Sequence, residues 1–208
     1  MFALVNKSNN SIVKMYSGDK GVLIGENQYP KSIFSLWSES ERNAIDVYTV
    51  EMDESKKKSG QWYVNTDVTY TFDGSKVTGS YGDATARAHA DTLYTDADKS
   101  NGDIPTGKDV GDVKDEGLKT KLIRDVKNQA QSELGKTDWY IVRKADTDEA
   151  VPSAIATHRA AVRSKQASME TAITNASDTP ALETLYTYTK QEDGSVTRPL
   201  GELPTLED

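Results

Sequence analysis

The chain has 208 residues, with 33 acidic and 25 basic side chains, a formal net charge of −8 and no cysteine. The negative charge disfavours binding to nucleic-acid phosphates, and the lack of cysteine excludes disulfides, thiolate metal sites and cysteine nucleophiles. Hydrophobic residues make up 36% of the chain, which favours two modest cores over one large core. No segment approaches the roughly 20 consecutive apolar residues that span a membrane, so a membrane is not an expected partner.

Residues 1–82 have the pattern of a small antiparallel β domain. Short apolar runs are separated by Asn-Asn and Gly-Asp turn signals. The run Ile33–Trp37 leads into a polar Ser-Glu-Ser-Glu-Arg turn, which predicts at most one helical turn. Residues 45–50 alternate as a strand does, and residues 61–72 carry apolar side chains mostly at even positions. Asp73-Gly74 then predicts a tight hairpin turn.

Residues 83–117 predict a polar linker, because they contain too few apolar side chains to offset the entropy of ordering them. Residues 84–90 have only a weak helical pattern. Oxygen-bearing side chains follow at nearly alternate positions, which suits calcium: Asp96, Asp98, Ser100 and Asp103. The glycine and the terminal glutamate of an EF-hand loop are missing, so a plain acidic loop is the favoured interpretation and no cofactor is expected.

Residues 118–178 predict an antiparallel helical hairpin. Apolar residues of 118–134 recur in steps of three and four, and Gly135 is a plausible helix end. Thr137 is placed to cap a short helix over residues 138–145, whose apolar contacts would come from Trp139, Ile141 and Val142. A long helix starts at Pro152 or Ser153, and its buried stripe is predicted to be Ile155, Val162, Met169 and Ile173.

Residues 179–208 predict a short β-hairpin followed by an acidic tail. A brief segment runs through Leu182, and the predicted strands, residues 185–189 and 195–197, flank the turn signal Asp193-Gly194. The predicted fold class is therefore α+β, with a β domain, a linker, a helical hairpin and a terminal hairpin in that order.

Catalytic chemistry is not indicated. The two histidines, His89 and His158, lie in different segments, and neither has a nucleophile elbow nearby. No phosphate-binding loop or dinucleotide fingerprint is present. The sequence therefore predicts a protein that is not an enzyme.

Two features suggest binding to another protein. Trp62 and Tyr63 are adjacent in a predicted strand, so one of them is expected to face outward, and Trp139 and Tyr140 repeat this pattern on a helix. The second feature is a local basic rim formed by Arg143, Lys144, Arg159, Arg163 and Lys165. The alternatives are that the aromatics cover core edges and that the basic residues serve solubility.

An ordered set of residues in the helical region resembles phage tail assembly chaperone proteins of tailed phages. The recognisable part is Thr137-Asp138-Trp139, then a basic turn, a proline, and a helix with two arginines. The full set is Leu118, Lys121-Leu122-Ile123-Arg124, Leu134, Thr137-Asp138-Trp139, Arg143-Lys144-Ala145, Val151-Pro152, Arg159 and Val162-Arg163. It covers about residues 112–178, and residues 1–52 resemble the family more weakly.

The resemblance implies a non-enzymatic phage tail protein that binds tail fibre or baseplate subunits, as an assembly chaperone or as a hinge or adaptor. A permanent structural role in the virion, without a chaperone role, is the alternative. The implied location is the host cytoplasm during assembly or the virion tail. A trimeric fibre partner would favour a homo-oligomer.

Overall fold

A computed structural model describes residues 1–206 and divides the chain into two compact units. The first unit is Met1–Thr85, and the second begins at Ala86. Strands dominate the first unit and helices the second, with a strand pair near the C-terminus. The predicted α+β fold class is confirmed.

The first unit contains a central sheet, two short helices and small hairpins. Its helices are α1 (Ile33–Leu36) and α2 (Glu39–Asn43). Its strands are β1 (Phe2–Asn6), β2 (Ser11–Tyr16), β3 (Val22–Ile24), β4 (Asn27–Tyr29), β5 (Val47–Asp53), β6 (Tyr63–Val64), β7 (Thr69–Phe72) and β8 (Val77–Ser80), and β9 (Thr85–Ala86) follows at the boundary.

The central sheet has the strand order β2-β1-β5-β8-β7. The neighbours β1 and β2, β1 and β5, and β7 and β8 pair antiparallel. The pairing of β5 with β8 is parallel, which the sequence pattern did not predict. Parallel neighbours need a long crossover, and residues 54–76 supply it.

Both faces of the central strands β1 and β5 are covered. Ala3 and Val5 pack with Tyr48 in one core cluster, whereas Val47, one residue along β5, belongs to a second cluster. The remaining members of the first cluster are Phe72 and Val77, and those of the second are Tyr16, Val22, Ile33 and Phe34. Because successive strand residues point to opposite faces, the two small cores lie on the two sides of one sheet.

The predicted hairpin turn between β7 and β8 is confirmed. Gly74 has a φ of +99°, which an L-residue rarely adopts. The carboxylate of Asp73 accepts hydrogen bonds of 2.9 Å from the backbone N–H groups of Lys76 and Ser75. These bonds, the one from Lys76 first, lower the pKa of Asp73 from 3.8 to about 2.

The prediction that Trp62 or Tyr63 faces outward is wrong. Both side chains are buried, because the chain turns tightly at this point and β6 is only two residues long. The N–H groups of both residues donate to the Ser59 carbonyl, so the alternation of an extended strand does not apply. Both aromatics are therefore buried, and neither faces solvent.

The second unit contains a helical hairpin with short elements around it. Its strands are β10 (Thr92–Leu93), β11 (Val113–Asp115), β12 (Thr189–Lys190) and β13 (Val196–Thr197). Its helices are α3 (Asp96–Asn101), α4 (Leu118–Gly135), α5 (Asp138–Thr147), α6 (Ser153–Asn175) and α7 (Thr179–Tyr186).

Residues 83–117 are not only a polar linker. The weak helix expected at residues 84–90 is absent from this described segment, where β9 lies instead, and β10 and β11 pair antiparallel. The first N–H groups of a helix lack partners within the helix, and here the N–H groups of Leu118 and Lys119 donate to the carbonyls of Ala88 and His89, at 2.9 and 3.0 Å. The supposed linker therefore caps α4.

The helices α4 and α6 run antiparallel, as predicted. Lys119 near the start of α4 donates to the carbonyl of Thr174 near the end of α6, at 2.8 Å. The side chains of Leu122, Val126 and Ala130 on α4 are buried, and so is the predicted stripe of α6, Ile155, Val162, Met169 and Ile173. Each large apolar side chain in such a seam stabilises the hairpin by about 1.5–3 kcal/mol.

The C-terminal segment differs from its prediction in one element. The helix α7 extends through Tyr186, so the strand predicted for residues 185–189 is replaced at its start by helix. The β12–β13 hairpin around Asp193-Gly194 is confirmed, with a φ of +85° at Gly194. Burial raises the pKa of Tyr186 to about 12.

Candidate partner-binding surface

The corner between α4 and α5 is fixed by a buried arginine from α6. The Nη1 atom of Arg159 lies 2.7 Å from the Leu134 carbonyl, 2.7 Å from Thr137 Oγ1 and 2.8 Å from Asp138 Oδ1. Thr137 is 1% exposed, and its hydroxyl donates to the Leu134 carbonyl at 3.0 Å. We call Thr137, Asp138 and Arg159 the corner lock.

Two predictions are corrected by the corner lock. Thr137 was expected to cap α5 with its hydroxyl, but that hydroxyl bonds to Leu134 and Arg159 and makes no cap bond. Arg159 was expected in a basic rim that binds a partner, but its side chain is buried and engaged within the chain. A buried guanidinium needs such acceptors, because an unpaired one would carry a large desolvation penalty.

The helix α5 has no buried residue within the part of the chain that the structure describes. Its exposed apolar side chains are Trp139 (52% exposed), Ile141 (43%) and Val142 (66%). Four consecutive apolar residues, from Trp139 to Val142, span about 300° around a helix, so they cannot all face one core. Trp139, Tyr140 and Val142 lie within about 160° of one another around the helix, whereas Ile141 lies on the opposite side. We call Trp139, Tyr140 and Val142 the α5 patch.

The aromatic rings of the α5 patch are stacked. The ring centroids of Trp139 and Tyr140 are 3.9 Å apart, and the guanidinium of Arg143 lies 4.6 Å from the Trp139 centroid and 5.4 Å from that of Tyr140. Arg143 also contacts a Glu149 carboxylate oxygen at 3.3 Å. Contacts of this kind restrict the rotamers of the side chains involved, and such restriction lowers the entropic cost of binding a partner.

The structure brings together only some of the predicted partner-binding residues. Trp139, Tyr140 and Arg143 form one cluster, whereas Trp62 and Tyr63 are buried elsewhere in the chain. In the predicted rim, Lys165 donates to the Leu200 carbonyl at 2.8 Å, and Arg163 and Lys144 are exposed.

The prediction that Trp139, Ile141 and Val142 supply the apolar contacts of α5 is not met by burial, because all three side chains are exposed. The available signal was the run of four apolar residues on one helix, which exceeds what a single buried face can hold.

The weak calcium prediction does not fit the structure. Asp96, Asp98 and Ser100 lie in α3, whose N-terminus is a capping box. The Asp98 carboxylate pairs with Lys114 at 2.6 Å and accepts a hydrogen bond from the Thr95 N–H, and these contacts, the one with Lys114 first, lower the pKa of Asp98. Among the described residues, no group of three or more His, Cys, Asp or Glu side chains could hold a metal ion.

The two histidines have separate environments. Nε2 of His158 lies 3.3 Å from a carboxylate oxygen of Glu133, beside the hairpin core. The backbone carbonyl of His89 caps α4. Hydrogen bonding to Lys136 lowers the pKa of Glu133, whose carboxylate also accepts from the Leu206 N–H at 3.1 Å.

Comparison with known proteins gives no match: no family model, no curated protein and no solved structure is significantly similar to the chain. Among the described residues, no helix has the length and apolar character that crossing a membrane requires.

Proposed function

We propose that this chain is a non-enzymatic phage tail protein that binds a tail fibre or baseplate subunit through the α5 patch. The observation that carries the proposal is the exposure of Trp139 and Val142 on α5, a helix in which the structure describes no buried residue. Exposed tryptophan with aliphatic neighbours is typical of an interface centre.

The order of residues that resembles tail assembly chaperones supports the proposal, because its members divide into two roles. Thr137 and Arg159 belong to the corner lock, which is internal to the chain. Trp139 and Arg143 belong to the exposed stack. A motif that both holds a helix in place and presents an aromatic on it fits a binding role.

Burial of the α5 patch provides the driving force. Covering each large apolar side chain of the patch stabilises a complex by about 1–3 kcal/mol before the costs of association. On an assembly chaperone the patch covers apolar surface of an unassembled subunit. On a hinge or adaptor the same contact is permanent.

Co-expression with the candidate fibre or baseplate subunit tests the proposal. We expect the full chain to co-elute with the subunit in size-exclusion chromatography, and the double variant Trp139→Ala/Val142→Asp to lose co-elution while keeping its helical circular dichroism. Leu36→Asp is the matched control, because Leu36 is 80% exposed and belongs to the first unit. Equal co-elution of all three proteins would overturn the assignment of the patch.

Mass spectrometry of purified phage separates the two forms of the proposal. A stoichiometric amount of the chain in particles supports a permanent virion component. Its absence from particles, together with co-elution from infected cells, supports an assembly chaperone.

A further inference from the structure

A groove of about 670 Å³ runs along one side of α6. It is lined by Leu134 and by α6 residues from Arg163 to Asn175. The exposed α6 residues that line this groove include two with short side chains, Ala167 and Thr171. Short side chains let the axis of a second helix approach to about 8 Å.

The groove side of α6 carries a simple charge pattern. Arg163 is exposed and has no hydrogen bond or ion pair with any residue that the structure describes. Glu170 lies two helical turns further on, and its carboxylate contacts Gln166 at 2.8 Å and Lys127 at 3.4 Å. A carboxylate has about four acceptor positions, so Glu170 can accept another donor.

The charges on the groove side of α6 are complementary to those of a second α6 helix that runs in the opposite direction. Consider two α6 helices that are antiparallel, with a two-fold axis between Gln166 and Ala167. Arg163 of each copy then faces Glu170 of the other copy, since 163 and 170 are equally distant from the axis. In a parallel pair Arg163 would face Arg163, and like charges would repel.

We infer that the groove binds α6 of a second copy of this chain, antiparallel, with two reciprocal ion pairs between Arg163 and Glu170. The chain carries a net charge of −8, so two copies repel each other at long range. Along the groove, the one positive charge without a partner among the described residues lies within reach of a negative one. A contact between two single helices is small, so the dimer is weak and depends on concentration.

Single cysteines test the geometry without interference, because the chain has no cysteine. Ala167 is next to the proposed axis, so Ala167→Cys cross-links to itself on mild oxidation. Ala156 is about 10 residues from the axis, which puts its two copies roughly 30 Å apart, and Ala156→Cys does not cross-link. Cross-linking of both variants would indicate a parallel pair. If neither variant cross-links, the groove is free. Either result overturns the inference.

Charge reversal tests the ion pairs independently. Light scattering after size exclusion should give up to twice the 22.8 kDa mass of one chain at high concentration. Arg163→Glu shifts the mass to that of one chain, and Arg163→Glu/Glu170→Arg recovers the dimer. Lys144→Glu, on α5, is the control and leaves the dimer unchanged. A mass of one chain at every concentration, or no recovery in a folded double variant, overturns the inference.

Discussion

The Thr137 hydroxyl is the part of the corner lock that can be removed with the least change of shape. Thr137→Val replaces the hydroxyl by a methyl group and keeps the branched side chain. The change removes the acceptor that lies 2.7 Å from Arg159 Nη1 and the donor that lies 3.0 Å from the Leu134 carbonyl. Thr137→Ser is the matched variant, because it keeps the hydroxyl and removes only the methyl group.

The structure sets the size of each effect. A hydrogen bond to a charged donor contributes about 1.5–3 kcal/mol, and the Leu134 carbonyl keeps its bonds to the Thr137 N–H and to Arg159, so it is not left unpaired. We therefore expect Thr137→Val to lower the free energy of unfolding by about 2 kcal/mol. Loss of one buried methyl group in Thr137→Ser should cost about 1 kcal/mol or less.

Urea denaturation followed by circular dichroism at 222 nm measures both variants, since the helices of the second unit dominate that signal. The expected order of stability is wild type, then Thr137→Ser, then Thr137→Val. A Thr137→Ser variant that is as unstable as Thr137→Val would refute the reasoning, because packing and not hydrogen bonding would then hold the corner.

Further predictions concern two glycines and two titratable groups. Gly117→Ala should destabilise the second unit by several kcal/mol, because the new Cβ would lie 2.3 Å from a backbone carbonyl. Gly135→Ala lies in open space at the end of α4 and should be neutral or stabilising by about 0.5–1 kcal/mol. Similar denaturation midpoints for the two variants would contradict this prediction. The folded pKa of Asp73 is lowered to about 2, mainly by the Lys76 N–H, so its carboxylate contributes stability above pH 4 that is lost as the pH falls toward 2. Carbon NMR should place the titration midpoint of Asp73 near 2. A midpoint near 3.8 would show that the hydrogen bonds of the turn do not form. Burial raises the folded pKa of Tyr186 to about 12, so its contribution to stability is present below pH 10 and lost between pH 10 and 12. In an ultraviolet pH titration, Tyr186→Phe should remove an ionisation near pH 12. Removal of an ionisation near pH 10 would contradict the burial of Tyr186.

Periodicity in the sequence was sufficient for the helical hairpin. The four apolar residues of α6 from Ile155 to Ile173 recur at helical spacing, and such a stripe can be buried only against another apolar stripe, which α4 supplies. The turns at Asp73-Gly74 and Asp193-Gly194 were predictable for a local reason, because positive φ at the second position favours glycine.

The environments of adjacent residues at the start of α5 could not be predicted from the sequence. Thr137, Asp138 and Trp139 are adjacent in the sequence, yet the first is buried, the second pairs with Arg159 and the third is half exposed. Successive residues at a helix start point in different directions, and their surroundings depend on where α6 lies.

The sequence by itself determined the elements whose cause is local: the apolar stripes of α4 and α6, the two glycine turns and the α+β class. Only the tertiary structure decided which polar groups meet. The carbonyls of Ala88 and His89 cap α4 from a segment with no apolar pattern, and Trp62 and Tyr63 are both inside because the chain turns before them. The physical reason is that hydrogen bonds and burial are satisfied between groups distant in sequence, and periodicity carries no record of those pairings.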